Sequence, residues 1–388
     1  MTEAGEKALL PAGLQDLLAP DAAHEAATVD RLLATCVAFG YERVKPPLME
    51  FEETLLAGAG SAVAQQSFRL MDPVSQRMMV LRADITPQVA RIAATRLRNA
   101  PRPLRLCYGG QVLRVRGSQL RPERQVSQAG VEVIGAAEPE ADAEVVVLAA
   151  EALAAVGVGK LSADLNQPTL VGAVAEGLGF AAIDVAALRA TLDRKDAAAV
   201  SALAGRHSGL FLDLLRAAGP AEQSLAALGR LELPEAARAE LATLERVARL
   251  VQAAAPSLTL TIDPVEHRGF EYQTGVSFTL FARDVRGELG RGGRYLADCL
   301  DGSAEPATGF TLYMDSICRA LPLPARPRCL YLPYGTPAAA ARALRGEGWI
   351  TVAALAPVED ARGAARRLAC SHVWRDGKPE QLPEQTGD

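Results

Sequence analysis

Between Leu106 and Gly135 the chain reads LCYGGQVLRVRGSQLRPERQVSQAGVEVIG, two strand-forming runs joined by an arginine-rich loop. Strand side chains alternate with a period of two. Gln128, Gly130 and Glu132 therefore share one side of the return strand, and Ala129, Val131 and Val133 share the other. On the outgoing run the same rule puts Arg114 and Arg116 on one face. Amide, carboxylate and guanidinium groups where Val and Ile are expected make a surface for a polar or charged ligand. The plain alternative is a solvated outer sheet face. Gly130, between the two acceptors, favours the ligand, because a strand glycine often marks close approach of a ligand or another backbone.

Several elements must position this hairpin. Asp21 is placed to cap a helix running to about Phe39, which Gly40 ends, with Val29, Leu32, Leu33 and Val37 on its apolar side. GYERVKPPLMEF follows as an extended segment in which Pro46 and Pro47 demand an edge or an interface. RMMVLRADITPQVARIAATRL reads as a strand entering a helix, with Asp84 and Thr86 at the junction and Pro87 suited to the first turn. EADAEVVVLAAEALAAVGVG, after the hairpin, predicts one long amphipathic helix.

The 388-residue chain exceeds one ordinary core. Residues 1–165 read as the first part of a core, and 166–256 as a mainly helical insertion dominated by Ala and Leu. Strand patterning returns at LTLTIDPVEHRGFEYQTGVSFTLFARD and GELGRGGRYLADCL, so 257–325 completes the core. A β-α-β-α-β module occupies 326–388. In the insertion, Asp193, Arg194 and Lys195 stand as a charged cluster; a solvated face is the simpler reading of it. Charged residues make 22% of the chain and the formal net charge is −5, which does not suit a protein that wraps nucleic acid. Six scattered cysteines without a CxxC pair and four scattered histidines give no metal pattern. With no long apolar run and no signal-peptide core at the N-terminus, the expectation is a cytoplasmic chain without membrane, metal or cofactor.

The order of these motifs resembles the core of histidyl-tRNA synthetase, a class II aminoacyl-tRNA synthetase. GYERVKPP, LRADIT at 81–86, the arginine-rich hairpin, RGFEYQTG from Arg268 to Gly275, and GGRY ending at Tyr295 occur in the family's sequence and spacing over roughly residues 10–320. The resemblance implies an α+β fold: a class II synthetase-like antiparallel sheet flanked by helices, with a helical insertion and a small C-terminal α/β module. It also implies a homodimer formed through the Gly40–Pro47 segment. Its histidine pocket would comprise Asp84, Thr86, Arg114, Gln128, Glu132, Arg268, Tyr272 and Tyr295. Asp84 stands where the family has a glutamate, and Gln273 replaces the second of two signature tyrosines.

That chemistry also stands on its own terms. A free amino acid offers an ammonium and a carboxylate, and histidine adds a ring with two nitrogens. Asp84 and Glu132 suit the cationic groups, Arg114 or Arg268 suits the carboxylate, and the tyrosine hydroxyls and Gln128 complete the set. The departures concern ATP. Arg116 occupies the position of the glutamate that faces adenine in the family, and Ser316 occupies that of the arginine for the γ-phosphate. The tail is also shorter than the family's anticodon-binding domain. A kept amino-acid pocket beside an altered ATP grip resembles the histidyl-tRNA synthetase-like regulatory subunits of ATP phosphoribosyltransferase. Membership would imply a non-catalytic partner of a short-form catalytic subunit, required for its activity and involved in feedback regulation by histidine. The alternative is a catalytic enzyme activating histidine with ATP; a sensing module for another enzyme is a third reading.

Overall fold

Alternation of polar and apolar side chains gives the main sheet two unlike faces. The computed structural model describes residues 9–56, 58–117, 121–267, 272–298, 302–322 and 327–383. It divides into two compact units, Met1–Pro322 and Leu323–Asp388. In the first unit the strands in chain order are β1 (Glu42–Arg43), β2 (Met49–Phe51), β3 (Arg69–Met71), β4 (Met78–Leu81), β5 (Leu104–Leu113) and β6 (Gln125–Ile134). They continue with β7 (Leu161–Asn166), β8 (Gly219–Pro220), β9 (Thr259–Asp263), β10 (Gln273–Ala282), β11 (Gly290–Asp298) and β12 (Ala304–Tyr313). Nine of these form one sheet in the order β1-β5-β6-β12-β11-β10-β7-β9-β8, and β2-β4-β3 form a small second one. The centre of the large sheet is antiparallel, whereas β1 lies parallel to β5 and β7 parallel to β9.

Register fixes what shares a face. Glu132 pairs with Gly309, Gly309 with Gly293, Gly293 with Ser277, Ser277 with Asn166, and Asn166 with Asp263. Paired residues point to the same side of a sheet, so this row crosses six strands on one polar face. The intervening residues face the other way. Val131, Val133, Phe310, Leu312, Phe278, Leu280, Leu165 and Ile262 enter a single apolar cluster with the Pro139–Val156 helix. That helix is apolar nearly all round and buries Val145, Val146, Leu148 and Leu153, as a helix sandwiched between layers must. Gly157 ends it with a φ of 106°, the left-handed conformation glycine adopts without strain. Between residues 170 and 254 the chain is mostly helical. Leu188, Leu192, Phe211, Leu244 and Val251 from these helices join the same apolar cluster.

Three local expectations change. β5 ends at Leu113, so Arg114 and Arg116 lie beyond the strand and do not share a sheet face. Asp21 is the first residue inside the Asp21–Ala38 helix, and Pro20 occupies the cap position without a side-chain cap. Gly130 makes room for protein: a Cβ there would collide with the Phe310 carbonyl oxygen and the Tyr108 hydroxyl. Tyr108 pairs directly across from Gly130, so the missing side chain lets a buried tyrosine lie over the strand.

The second unit has a four-stranded sheet in the order β14-β13-β15-β16, from β13 (Cys329–Leu332), β14 (Ile350–Ala353), β15 (His372–Arg375) and β16 (Lys378–Gln381). The helices Ala338–Gly346 and Ala361–Arg367 connect the first three strands. Strand β16 adds a hairpin to the expected module. Its two-residue turn, Asp376-Gly377, has φ of 51° and 78°, the Asp-Gly chemistry of a type I′ hairpin.

Because overpacking forces side chains or backbone to shift, Gly130→Ala is expected to lower stability by about 1–3 kcal/mol. A lower urea midpoint with an unchanged slope would report this, and an unchanged midpoint would contradict the packing described.

Candidate functional site

The polar face carries a buried carboxylate at its centre. Glu132 is 1% exposed. The Tyr295 hydroxyl donates to its Oε2 at 2.9 Å, and the Tyr108 hydroxyl lies 3.4 Å from its Oε1. The Tyr108 oxygen is also 3.1 Å from Thr86 Oγ1 and 2.9 Å from Thr311 Oγ1, so one phenol links three strands and a helix start. Tyr272 meets the Tyr295 ring edge-on, with centroids 6.1 Å apart.

A second carboxylate sits beside this group. Asp84 lies in the turn between β4 and the Thr86–Thr95 helix, where its Oδ1 accepts the Thr86 backbone N–H at 2.9 Å. Gln128 Nε2 donates to Asp84 Oδ2 at 3.1 Å. Gln128 is fully buried, and its Oε1 has no hydrogen-bond partner among the described residues. An orphaned buried amide oxygen is costly unless a donor reaches it. The turn is braced from behind by Arg82, whose guanidinium donates to the carbonyls of Gln111 and Pro46 at 2.7 and 3.2 Å.

Burial, and then the nearby Asp84 charge, push the Glu132 carboxyl up to about 8, against the pull of its hydroxyl donors. Burial and the Glu132 charge likewise raise the Tyr108 and Tyr295 phenols. The result is a closed set of O–H donors and carboxylate acceptors, with an unused amide oxygen at its edge. Such a set can hold a small ligand rich in N–H groups, and it can hold a proton on Glu132 near neutral pH.

Six residues expected from sequence come together here: Asp84, Thr86, Gln128, Glu132, Tyr272 and Tyr295. Arg114 is at the rim, its Nε 3.4 Å from the carbonyl of Ala83, next to Asp84. Arg268 lies outside the described residues. Tyr108, Thr311 and Arg82 belong to the site and were not anticipated. The sequence signal for Tyr108 was Gly130 itself, but only the hairpin register joins the two.

Beside the pocket, arginines are engaged by protein groups. Arg291 donates through Nε and an Nη to Glu288 at 3.1 and 2.7 Å, and Arg121 pairs with the same carboxylate. The Arg121 guanidinium also lies 3.8 Å above the ring centroid of buried Tyr313. Arg116 is exposed in the loop. Ser316 is buried; Arg319 reaches its hydroxyl at 3.2 Å and is also paired with Asp315 at 3.2 Å and with Glu123 at 4.0 Å.

The sheet, its covering helices and the paired carboxylates define a class II synthetase-like core. A family model described as histidyl-tRNA synthetase matches residues 13–317. A Rhodospirillum centenum protein named ATP phosphoribosyltransferase regulatory subunit is 56% identical over 378 residues, 97% of each chain. Among solved structures, an ATP phosphoribosyltransferase regulatory subunit/histidyl-tRNA synthetase from Bacillus halodurans C aligns at TM-score 0.80 and 26% identity, covering 92% of this chain and 96% of that one. A chain of an ATP phosphoribosyl transferase complex from Thermotoga maritima shares the fold at TM-score 0.59 and 16% identity, over 75% of this chain and 97% of that one. The chain belongs to the histidyl-tRNA synthetase-like family of ATP phosphoribosyltransferase regulatory subunits.

The raised Glu132 carboxyl has a defined sign. Below its ordinary value of 4.5 both folded and unfolded chains hold the proton. Between 4.5 and about 8 only the unfolded chain releases it, so stability falls as pH rises through that window, and no further loss occurs above it. At about 1.4 kcal/mol per unit, wild type should lose roughly 3–4 kcal/mol relative to Glu132→Gln between pH 5 and 8.5. Urea unfolding of both proteins across that range measures it; parallel curves would rule the buried acid out.

Proposed function

We propose that this chain is the non-catalytic regulatory subunit of an ATP phosphoribosyltransferase, the enzyme of the first step of histidine biosynthesis, and that its pocket reads free histidine. The observation that carries the ligand reading is the buried Glu132 under two tyrosine hydroxyls, one residue pair away from Gln128 and Asp84. Asp84 and the unused Gln128 oxygen take the ammonium. Glu132 and Tyr295 take the ring nitrogens, Tyr272 packs against the ring, and Arg114 or Arg268 takes the carboxylate through a charge-assisted bond. The catalytic partner is a short-form subunit to which this chain supplies full activity and histidine sensitivity, in the cytoplasm. Feedback then requires histidine to bind one state of the assembly more tightly than the other.

A homodimer is part of the same proposal. Leu70, Met71, Val74 and Met78, in and around the small β2-β4-β3 sheet, together with Leu48, are exposed large apolar side chains. Met71 and Met78 are paired across neighbouring strands and so share a face, and exposed apolar side chains grouped in this way are a common mark of an interface. The rival reading, a ligase activating histidine with ATP, needs a fixed cation where buried Ser316 stands, and the nearest arginine, Arg319, is held by Asp315 and Glu123.

Millimolar histidine is expected to raise the melting temperature, and Glu132→Ala to abolish that shift. Absence of a shift in wild type would remove the sensor and leave the subunit role standing. In a separate assay the chain alone should transfer no phosphoribosyl group, while its addition to a short-form catalytic subunit should raise turnover. Histidine-dependent pyrophosphate exchange would instead establish the ligase.

A further inference from the structure

The sequence scatters its cysteines, and the fold of the second unit brings two of them together. Cys329 opens β13, and Cys370 lies between the Ala361–Arg367 helix and β15. Strands β13 and β15 are parallel neighbours, with Leu330 opposite His372. Ser371 therefore stands opposite Cys329, and its hydroxyl accepts the Cys329 N–H at 3.1 Å and donates to the Cys329 carbonyl at 3.0 Å. Cys370 is one residue step further along. Neighbouring strands about 4.8 Å apart and a step of about 3.3 Å set the two Cα atoms about 6 Å apart, inside the range that a disulfide spans.

Both side chains take the same face of the sheet. Cys329 packs with Tyr331, Ala364, Ala365 and Cys370 against the helix, whereas Leu330 and Leu332 belong to the cluster on the other side. Cys329 Sγ donates to Cys370 Sγ at 3.1 Å, and Cys370 Sγ reaches the Leu368 carbonyl at 3.8 Å. The sulfurs are thus in contact, and about 1 Å of further approach would bring them to bonding distance. Cys329 is half-buried and Cys370 is buried; both are free thiols. Burial, and then the neighbouring Cys329 sulfur, push the Cys370 thiol up to about 12. An oxidant therefore meets Cys329 first, and Cys370 follows as the slower partner. A reachable thiol with a resolving thiol beside it is the arrangement of redox-sensing cysteines. The two cysteines are 41 positions apart, and β14 and both helices of the unit lie between them in the chain. Closing so long a loop restricts the unfolded chain and favours the folded unit.

We propose that Cys329 and Cys370 close reversibly into a disulfide, a redox-sensitive staple of the C-terminal unit set by the small-molecule thiols and disulfides around it. With glutathione disulfide as oxidant, the Cys329 sulfur attacks one sulfur of the glutathione pair and the first glutathione leaves. The Cys370 sulfur then attacks Cys329 in the mixed disulfide, and the second glutathione leaves. The two thiol protons end on the two released glutathiones, so the protein loses two electrons and glutathione disulfide gains two. The full-length reduced protein is equilibrated with mixtures of glutathione and glutathione disulfide, quenched in acid and mapped by mass. Wild type should lose two hydrogen atoms through one Cys329–Cys370 link, retain no glutathione at either residue, and return to the dithiol in excess glutathione. Cys370→Ser should instead keep one glutathione at Cys329. With the link closed, proteolysis between residues 329 and 370 should slow by about fivefold or more, and Cys329→Ser treated alike should show no such slowing. The proposal is overturned if wild type keeps glutathione at Cys329, if no link forms in glutathione disulfide alone, or if either cysteine pairs elsewhere.

Discussion

A carboxylate buried in the middle of a sheet is the constraint around which this molecule is arranged. Taking Glu132 out of water is expensive, and leaving a buried polar group without its hydrogen-bond partner costs about 1–3 kcal/mol. Its neighbours are therefore specific. Tyr295 from β11 and Tyr108 from β5 supply hydroxyls, and Thr86 and Thr311 hold Tyr108 in place. Gly130 in the same strand leaves room for Tyr108, and Gly309 in the next must stay bare, since a Cβ there would collide with the Glu132 carboxylate. On the reverse face the same strands are mainly apolar, and the Pro139–Val156 helix packs there, its Asp142 and Glu144 taking the Arg294 and Arg105 that share that face. The polar site is thus held by a mainly apolar layer behind it, pinned by two ion pairs to the helix.

The hairpin was legible because period-two alternation needs no tertiary knowledge: Gln128 and Glu132 had to share a side. The fold followed from motif order more than from periodicity, because short runs such as LSADLN at 161–166 carry little strand signal of their own. Arg114 and Arg116 were misplaced onto a strand because alternation says nothing about where a strand stops, and β5 stops one residue earlier. Tyr108 was missed for a different reason. Its role depends on standing opposite Gly130, which is a matter of hairpin register set by a long loop. The Asp-Gly turn before β16 was visible as a turn, but the strand beyond it, KPEQ, has weak β propensity and is held by its pairing with β15.

The surroundings of the pocket differ from one side to the other. Around Glu132, the Gln128 amide oxygen has no partner among the described residues, while its amide nitrogen donates to Asp84. On the other side, Arg121 and Arg291 converge on Glu288, and Arg319 is occupied by Asp315. Guanidinium groups satisfied by protein carboxylates are already in their preferred geometry, and a phosphate would have to displace those partners. In this synthetase-like core these cations serve internal structure.

Both edges of the large sheet end in the same manner. At one side β1 is two residues long and runs into Pro46 and Pro47; at the other, β8 is the pair Gly219–Pro220. Proline has no N–H to offer, and strands this short present almost no open ladder. Among the described residues the outermost strands of the sheet are consequently poor templates for a further strand. For a family of regulatory subunits, edge strands of this kind disfavour strand-to-strand joining and leave assembly to side-chain surfaces.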